Sequence, residues 1–128
     1  MRMKTVLLVD DSRVTREVLK VFLIATGVKL IEASDGVEAL QRVRDERPDL
    51  VVADVKMPRL NGFDLCRALQ SDPATRAIPV LILTSNADPE TIERCRSAGA
   101  REVLSKPIQP KPLLAAVHRH IAGAEASV

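Results

Sequence analysis

The sequence predicts an α/β protein built on one doubly wound parallel sheet of five strands. Three observations carry that reading. Short apolar runs alternate with helical patterns five times along the chain. Three of those runs are almost continuously aliphatic, as strands covered on both faces are. Four of the five end in acidic, hydroxylic or basic residues, at the sheet edge where open α/β folds bind their ligands.

The first run, TVLLV (5–9), is followed by Asp10, Asp11 and Ser12, with Ser12 able to cap the helix that comes next. That helix is predicted to carry Val14, Val18, Val21, Phe22 and Ala25 on one face and to stop at Gly27. VKLIEA (28–33) is the second strand, and its bland end suits an edge position. The helix after it opens with Asp35 and Glu38 at capping-box spacing and buries Ala39, Leu40 and Val43 before Pro48. DLVVAD (49–54) is the third strand, placed centrally and ending in Asp54. A third helix follows Asn61-Gly62 and uses Leu65, Cys66 and Leu69. PVLILT (79–84) ends in Thr84; Asp88 and Pro89 then open a fourth helix that closes at Gly99. EVLSK (102–106) ends in Lys106, and a last helix after Pro110 and Pro112 buries Leu114, Val117 and Ile121.

The chain of 128 residues fits one domain, and its 46% hydrophobic and 28% charged content is globular. A formal charge of +2 is too mild to imply nucleic acid. With two Phe and neither Trp nor Tyr, the chain lacks a platform for stacking bases or a flavin ring, so no direct nucleic-acid binding is expected. No apolar run reaches the ~18–20 residues of a membrane span, and no signal-peptide core follows the MRMK start, so the expected location is cytoplasmic. Cys66 and Cys95 have no paired spacing that would suggest zinc or a disulfide framework. His118 and His120 read as exposed residues of the last helix.

Four strands thus deliver Asp10, Asp11, Asp54, Thr84 and Lys106 to one edge of the sheet. Two carboxylates ~5 Å apart at an effective dielectric near 20 repel by roughly 3 kcal/mol, so three of them call for a cation. Mg²⁺ suits oxygen ligands and phosphate bridging. Lys106 supplies a charge and Thr84 a donor for phosphoryl oxygens, which leaves Asp54, alone at its strand tip, as the nucleophile.

The ordered motifs VDDS, VVADVKMPRLNG, LTS and SKP resemble the receiver domain of two-component response regulators, over about residues 4–122. The resemblance implies a flavodoxin-like (βα)5 sheet of strand order 2-1-3-4-5. It implies a receiver domain over residues 1–122, with 123–128 a short tail or the start of a linker. Asp54 would accept a phosphoryl group from the phosphohistidine of a sensor histidine kinase or phosphotransfer protein. Asp11, Asp54 and the backbone carbonyl of Lys56 would ligate Mg²⁺, with Asp10 reaching it through water. Thr84 would be the switch hydroxyl, Lys106 the counter-ion, and the peptide at Pro107 cis. The switched surface would meet a downstream protein or output domain. Val103 stands where many members carry an aromatic ring, so switching by rotation of that ring is not expected here.

Other classes fit the residues less well. A flavodoxin-type electron carrier needs a first loop that cradles phosphate, and this one is acidic. A phosphohydrolase with an aspartyl nucleophile needs a second acid two residues on, where Lys56 stands. The remaining alternative is a receiver-like module that binds partners without phosphorylation. The expectation is a signalling domain that acts on its own Asp54 and is not an enzyme in the ordinary sense.

Overall fold

A computed structural model describes the backbone of residues 3–126 and the side chains of residues 3–121. Five strands, β1 (Thr5–Val9), β2 (Lys29–Ala33), β3 (Leu50–Asp54), β4 (Val80–Thr84) and β5 (Glu102–Ser105), form one sheet in the order β2-β1-β3-β4-β5. All four pairings are parallel, as the four crossover connections require. Every residue of β1, β3 and β4 is buried, which is why their sequences are continuously apolar rather than alternating. Strand β2, at one edge, is buried only at Ile31 and Ala33, and β5, at the other, is no more than half-buried.

Helices α1 (Arg13–Leu23) and α5 (Pro110–Ala126) cover one face of the sheet; α2 (Gly36–Glu46), α3 (Gly62–Ser71) and α4 (Pro89–Ser97) cover the other. Their starts follow local chemistry. Ser12, Asp35, Asn61 and Asp88 each accept a hydrogen bond from the backbone N–H three residues on, filling a donor that the first turn leaves open. The capping box at α2 closes one residue early: Asp35 accepts from the Glu38 N–H, whereas the Glu38 carboxylate accepts from the Ser34 N–H at 2.6 Å.

Two helix faces differ from the sequence expectation. Helix α1 buries Leu19 and Leu23, with Phe22 half-buried, while Val14, Val18 and Val21 are 73%, 42% and 68% exposed and Ala25 is exposed as well. The helix has apolar residues on two sides, and the stripe that is buried is the one that meets β1, β3 and α5, which periodicity within the helix does not specify. Helix α5 begins at Pro110 rather than after it, with Pro112 in the same first turn, where a missing N–H costs no helical hydrogen bond. It buries Leu113, Ala116 and Val117, with Leu114 and Ile121 only partly covered. The backbone of α5 runs on past residue 122; of the tail placed at 123–128, no side chain is described and residues 127 and 128 lie outside the described residues.

Candidate functional site

The carboxyl ends of β1, β3, β4 and β5 meet at one edge of the sheet. Asp10 continues the β1 ladder, donating its N–H to the Ala33 carbonyl at 3.2 Å, and is 1% exposed. Its Oδ1 accepts from the Ser12 N–H at 2.9 Å, and its Oδ2 lies 3.3 Å from Lys106 Nζ. Asp11, next in the chain, is exposed. Asp54 closes β3 and is 8% exposed, its Oδ1 lying 3.2 Å from Lys106 Nζ. One carboxylate oxygen from each of Asp10, Asp11 and Asp54 lies within 4.8 Å of the others.

The lysine is aimed by the sheet. Lys106 donates its N–H to the Thr84 carbonyl at 2.8 Å, one step beyond the β4–β5 register, and a cis Lys106–Pro107 peptide follows. Thr84 is buried at the same edge, but its hydroxyl is turned to its own loop, accepting from the Asn86 N–H at 3.0 Å and donating to the Asn86 carbonyl at 3.2 Å. The structure therefore gathers Asp10, Asp11, Asp54 and Lys106, and leaves the Thr84 hydroxyl engaged beside them.

Charge at the cluster follows from burial and neighbours. Burial is the chief cause that raises the Asp54 carboxyl above its ordinary range; the Asp10 charge adds to it and Lys106 works against it. For Lys106, burial alone would lower the ammonium, and the two carboxylates Asp10 and Asp54 together outweigh it and raise the group. An ammonium shared by two acids cannot neutralise three. Hard, convergent, partly exposed oxygen donors with an uncompensated negative charge suit a small divalent cation, and this donor set fits Mg²⁺.

The loop between β3 and α3 is held against the site by close backbone approach. Gly62 donates its N–H to the Val55 carbonyl at 2.8 Å, and a Cβ at Gly62 would lie 2.4 Å from the Asp54 carbonyl oxygen. On its far side, a Cβ at Gly36 would lie 2.3 Å from the Leu60 carbonyl oxygen, and Arg59 pairs with Asp35 at 2.7 Å. Lys56, exposed, borders a groove of about 570 Å³ with Asp11, Met57, Asn61 and Arg94, and the Arg94 guanidinium lies 4.0 Å over the Phe63 ring.

Sequence reasoning had no purchase on Arg16, Arg59 or Arg94, since each acts through a residue distant in the chain. Cys66 and Cys95 are buried free thiols; burial pushes Cys66 up to about 11, so neither is a reactive thiolate. His118 is exposed as expected, whereas His120 is half-buried and 2.7 Å from Glu102, which also accepts from Arg119. Val103 packs, partly buried, against the core on the α3–α4 side.

Residues 6–118 match the family described as "Response regulator receiver domain". The chain belongs to that family. Among curated relatives, the receiver is 46% identical over 101 residues to a gliding motility regulatory protein of Myxococcus xanthus, covering 79% of this chain and 13% of that one. A putative response regulator from Chloroflexus aurantiacus superposes with a TM-score of 0.90 at 33% identity, covering 94% of this chain and 99% of the other. The receiver domain of the sensor histidine kinase PA1611 from Pseudomonas aeruginosa, at 28% identity and TM-score 0.86 over 94% and 99% of the two chains, holds a magnesium ion in its active-site cleft. The receiver spans about half the length of relatives named as DNA-binding response regulators. No helix among the described residues is long and apolar enough to cross a membrane.

Proposed function

We propose that the receiver takes a phosphoryl group onto Asp54 from the phosphohistidine of a sensor histidine kinase or phosphotransfer protein. The observation that carries this reading is the position of Lys106, whose ammonium stands between Asp54 at 3.2 Å and Asp10 at 3.3 Å. Of the two acids it touches, Asp10 has both carboxylate oxygens engaged and is almost fully buried. Asp54 is the one with an oxygen left for phosphorus.

In the transfer, an Asp54 carboxylate oxygen attacks phosphorus while the P–N bond to the donor imidazole breaks. The imidazole keeps the electron pair and takes a proton from solvent. Lys106 then pairs with a phosphoryl oxygen, and alignment and charge neutralisation supply the rate without a general base. Asp11, Asp54 and the backbone carbonyl of Lys56 would hold Mg²⁺, with Asp10 behind a water. Bound there, the ion would supply compensation for the charge that phosphoryl oxygens bring to a site already rich in carboxylates.

Phosphorylation replaces the single carboxylate charge of Asp54 with the nearly two charges and three acceptor oxygens of a phosphoryl group. The Thr84 hydroxyl, held among the described residues by Asn86 in its own loop, is the group able to change partners toward them. That exchange shifts the loop leading into α4 and so biases a surface read by a downstream protein or output domain. With Val103 in β5, the change travels through this loop rather than through a rotating ring. The reaction ascribed to the domain is the phosphorylation and dephosphorylation of its own Asp54.

The test is incubation with Mg²⁺ and a small acyl-phosphate donor, followed by intact-mass measurement. Wild-type protein gains the mass of one phosphoryl group and Asp54→Asn does not. A wild-type mass that stays unchanged overturns the reading and leaves a binding module.

A further inference from the structure

Asp10 and Asp11 share one peptide plane, and the structure holds that plane from outside the acidic cluster. Arg16, on the second turn of α1, donates from Nη1 to the Asp10 carbonyl at 2.6 Å and from Nε to Glu32 Oε1 at 2.9 Å. Glu32 lies on β2, the strand whose Ala33 carbonyl accepts the Asp10 N–H. Lys20 holds the other Glu32 oxygen at 3.1 Å. Burial works against the Glu32 charge, but the hydrogen bonds from Lys20 and Arg16 keep its carboxyl below the usual range, so the anchor is ionised. Arg16 is itself largely covered, its side chain 15% exposed.

The two acids differ in what restrains them. The Asp10 carboxylate is fixed by the Ser12 N–H and by Lys106. The Asp11 carboxylate, among the described residues, has no hydrogen bond or ion pair. Its direction is set by the backbone that carries it. We propose that Arg16, braced on Glu32, is a positioning residue for the acidic cluster, fixing the Asp10–Asp11 peptide so that the Asp11 carboxylate points into the cation site. The inference rests on the reading of the acids as a Mg²⁺ site.

Charge and position predict opposite signs. Arg16 is a cation near a cation site, so removing it for its charge alone tightens Mg²⁺ binding. Releasing the Asp11 backbone weakens it, as loss of an outer partner that orients a ligand does by roughly 10- to 100-fold. The planar fork of Arg spans two acceptors at once, which a lysine ammonium does not.

The experiment is a Mg²⁺ titration of ¹⁵N-labelled protein followed at backbone amides, because the chain has no Trp or Tyr for an optical signal. Arg16→Gln is expected to bind Mg²⁺ about tenfold more weakly, and Arg16→Lys to recover little of that. Glu32→Gln, which keeps the Arg16 charge but weakens its brace, is expected to bind severalfold more weakly. In metal-free Arg16→Gln, fast motion at the Asp11 amide increases while the sheet amides are unchanged. Equal or tighter binding by folded Arg16→Gln overturns the proposal. If that variant does not fold, unchanged affinity in Glu32→Gln overturns it. Wild-type protein that fails to bind Mg²⁺ overturns the metal reading and this one together, whereas wild-type binding with indifferent variants removes this one alone.

Discussion

Lys106 Nζ lies 3.2 Å from Asp54 Oδ1, and this contact joins the ends of two strands that are not neighbours in the sheet, β3 and β5, across the end of β4. It is an ion pair with a surplus: Asp10 shares the same ammonium, and Asp11 stands within reach of both acids. The cluster therefore carries electrostatic strain at Asp54.

That strain is measurable. The Asp54 carboxyl is raised above its ordinary range, chiefly by burial, so in the window above the ordinary carboxylate range the folded chain binds more protons than the unfolded one. Stability from this group is complete at lower pH and is lost as pH rises through the folded value. In metal-free urea titrations, Asp54→Asn is expected to match wild type near pH 4 and to be the more stable of the two at pH 7. An advantage for the variant that shrinks as pH rises contradicts the assignment.

Removing the ammonium has the opposite effect. Lys106→Ala leaves Asp10 and Asp54 buried without their counter-charge, and breaking such a pair from one side costs about 3 kcal/mol. Added Mg²⁺ is expected to return part of that loss, because it binds only the folded acids; at 100 times its dissociation constant the linkage term is about 2.7 kcal/mol. Urea midpoints with and without Mg²⁺ read both terms. A loss that Mg²⁺ does not reduce places the damage in packing instead of charge.

The strand ends were legible in the sequence because each is a change from aliphatic to chemically active residues, as at Val9 to Asp10 and Ala53 to Asp54, on strands whose parallel pairing follows from their alternation with helices and whose order is the one the family resemblance implies. Hydrogen bonds such as Arg16 to the Asp10 carbonyl and Arg59 to Asp35 were not, since a surface arginine has the same local appearance whether it is solvated or gripping a loop. The face of α1 failed for a different reason. Val14, Val18 and Val21 are as periodic as the residues actually buried, and burial is decided by the neighbours a helix meets.

The exposed stripe gives that correction a test. Leu19 is 1% exposed within the α1–α5 layer, so Leu19→Ala is expected to cost about 2–5 kcal/mol. Val18→Ser, one residue earlier on the open side, is expected to stay within about 0.5 kcal/mol. Thermal unfolding of the two variants separates the alternatives; a larger loss at Val18 than at Leu19 would mean that α1 packs on the face its periodicity first suggested.

Gly62 links the backbone of the loop to Asp54 itself. It is the first residue of α3, capped by Asn61, and its N–H reaches back to the Val55 carbonyl at 2.8 Å. The added methyl of Gly62→Ala would meet the Asp54 carbonyl oxygen at 2.4 Å and the Val55 Cα at 3.0 Å, both main-chain atoms that no side-chain rotation can move aside. Relief requires α3 to retreat or the end of β3 to shift. Overpacking of this kind costs about 1–3 kcal/mol. Because the shift falls on the proposed phosphoryl acceptor, Gly62→Ala is also expected to slow acyl-phosphate labelling of Asp54 by at least tenfold at saturating Mg²⁺, a misplacement effect of the size small displacements produce in aligned reactions. Gly27→Ala is the contrasting control: its backbone is left-handed and therefore strained by a side chain, but open space surrounds its Cβ position. It is expected to lose stability while labelling at the wild-type rate. Equal labelling by both variants would show that the approach of Gly62 to Asp54 does not hold the acceptor in place.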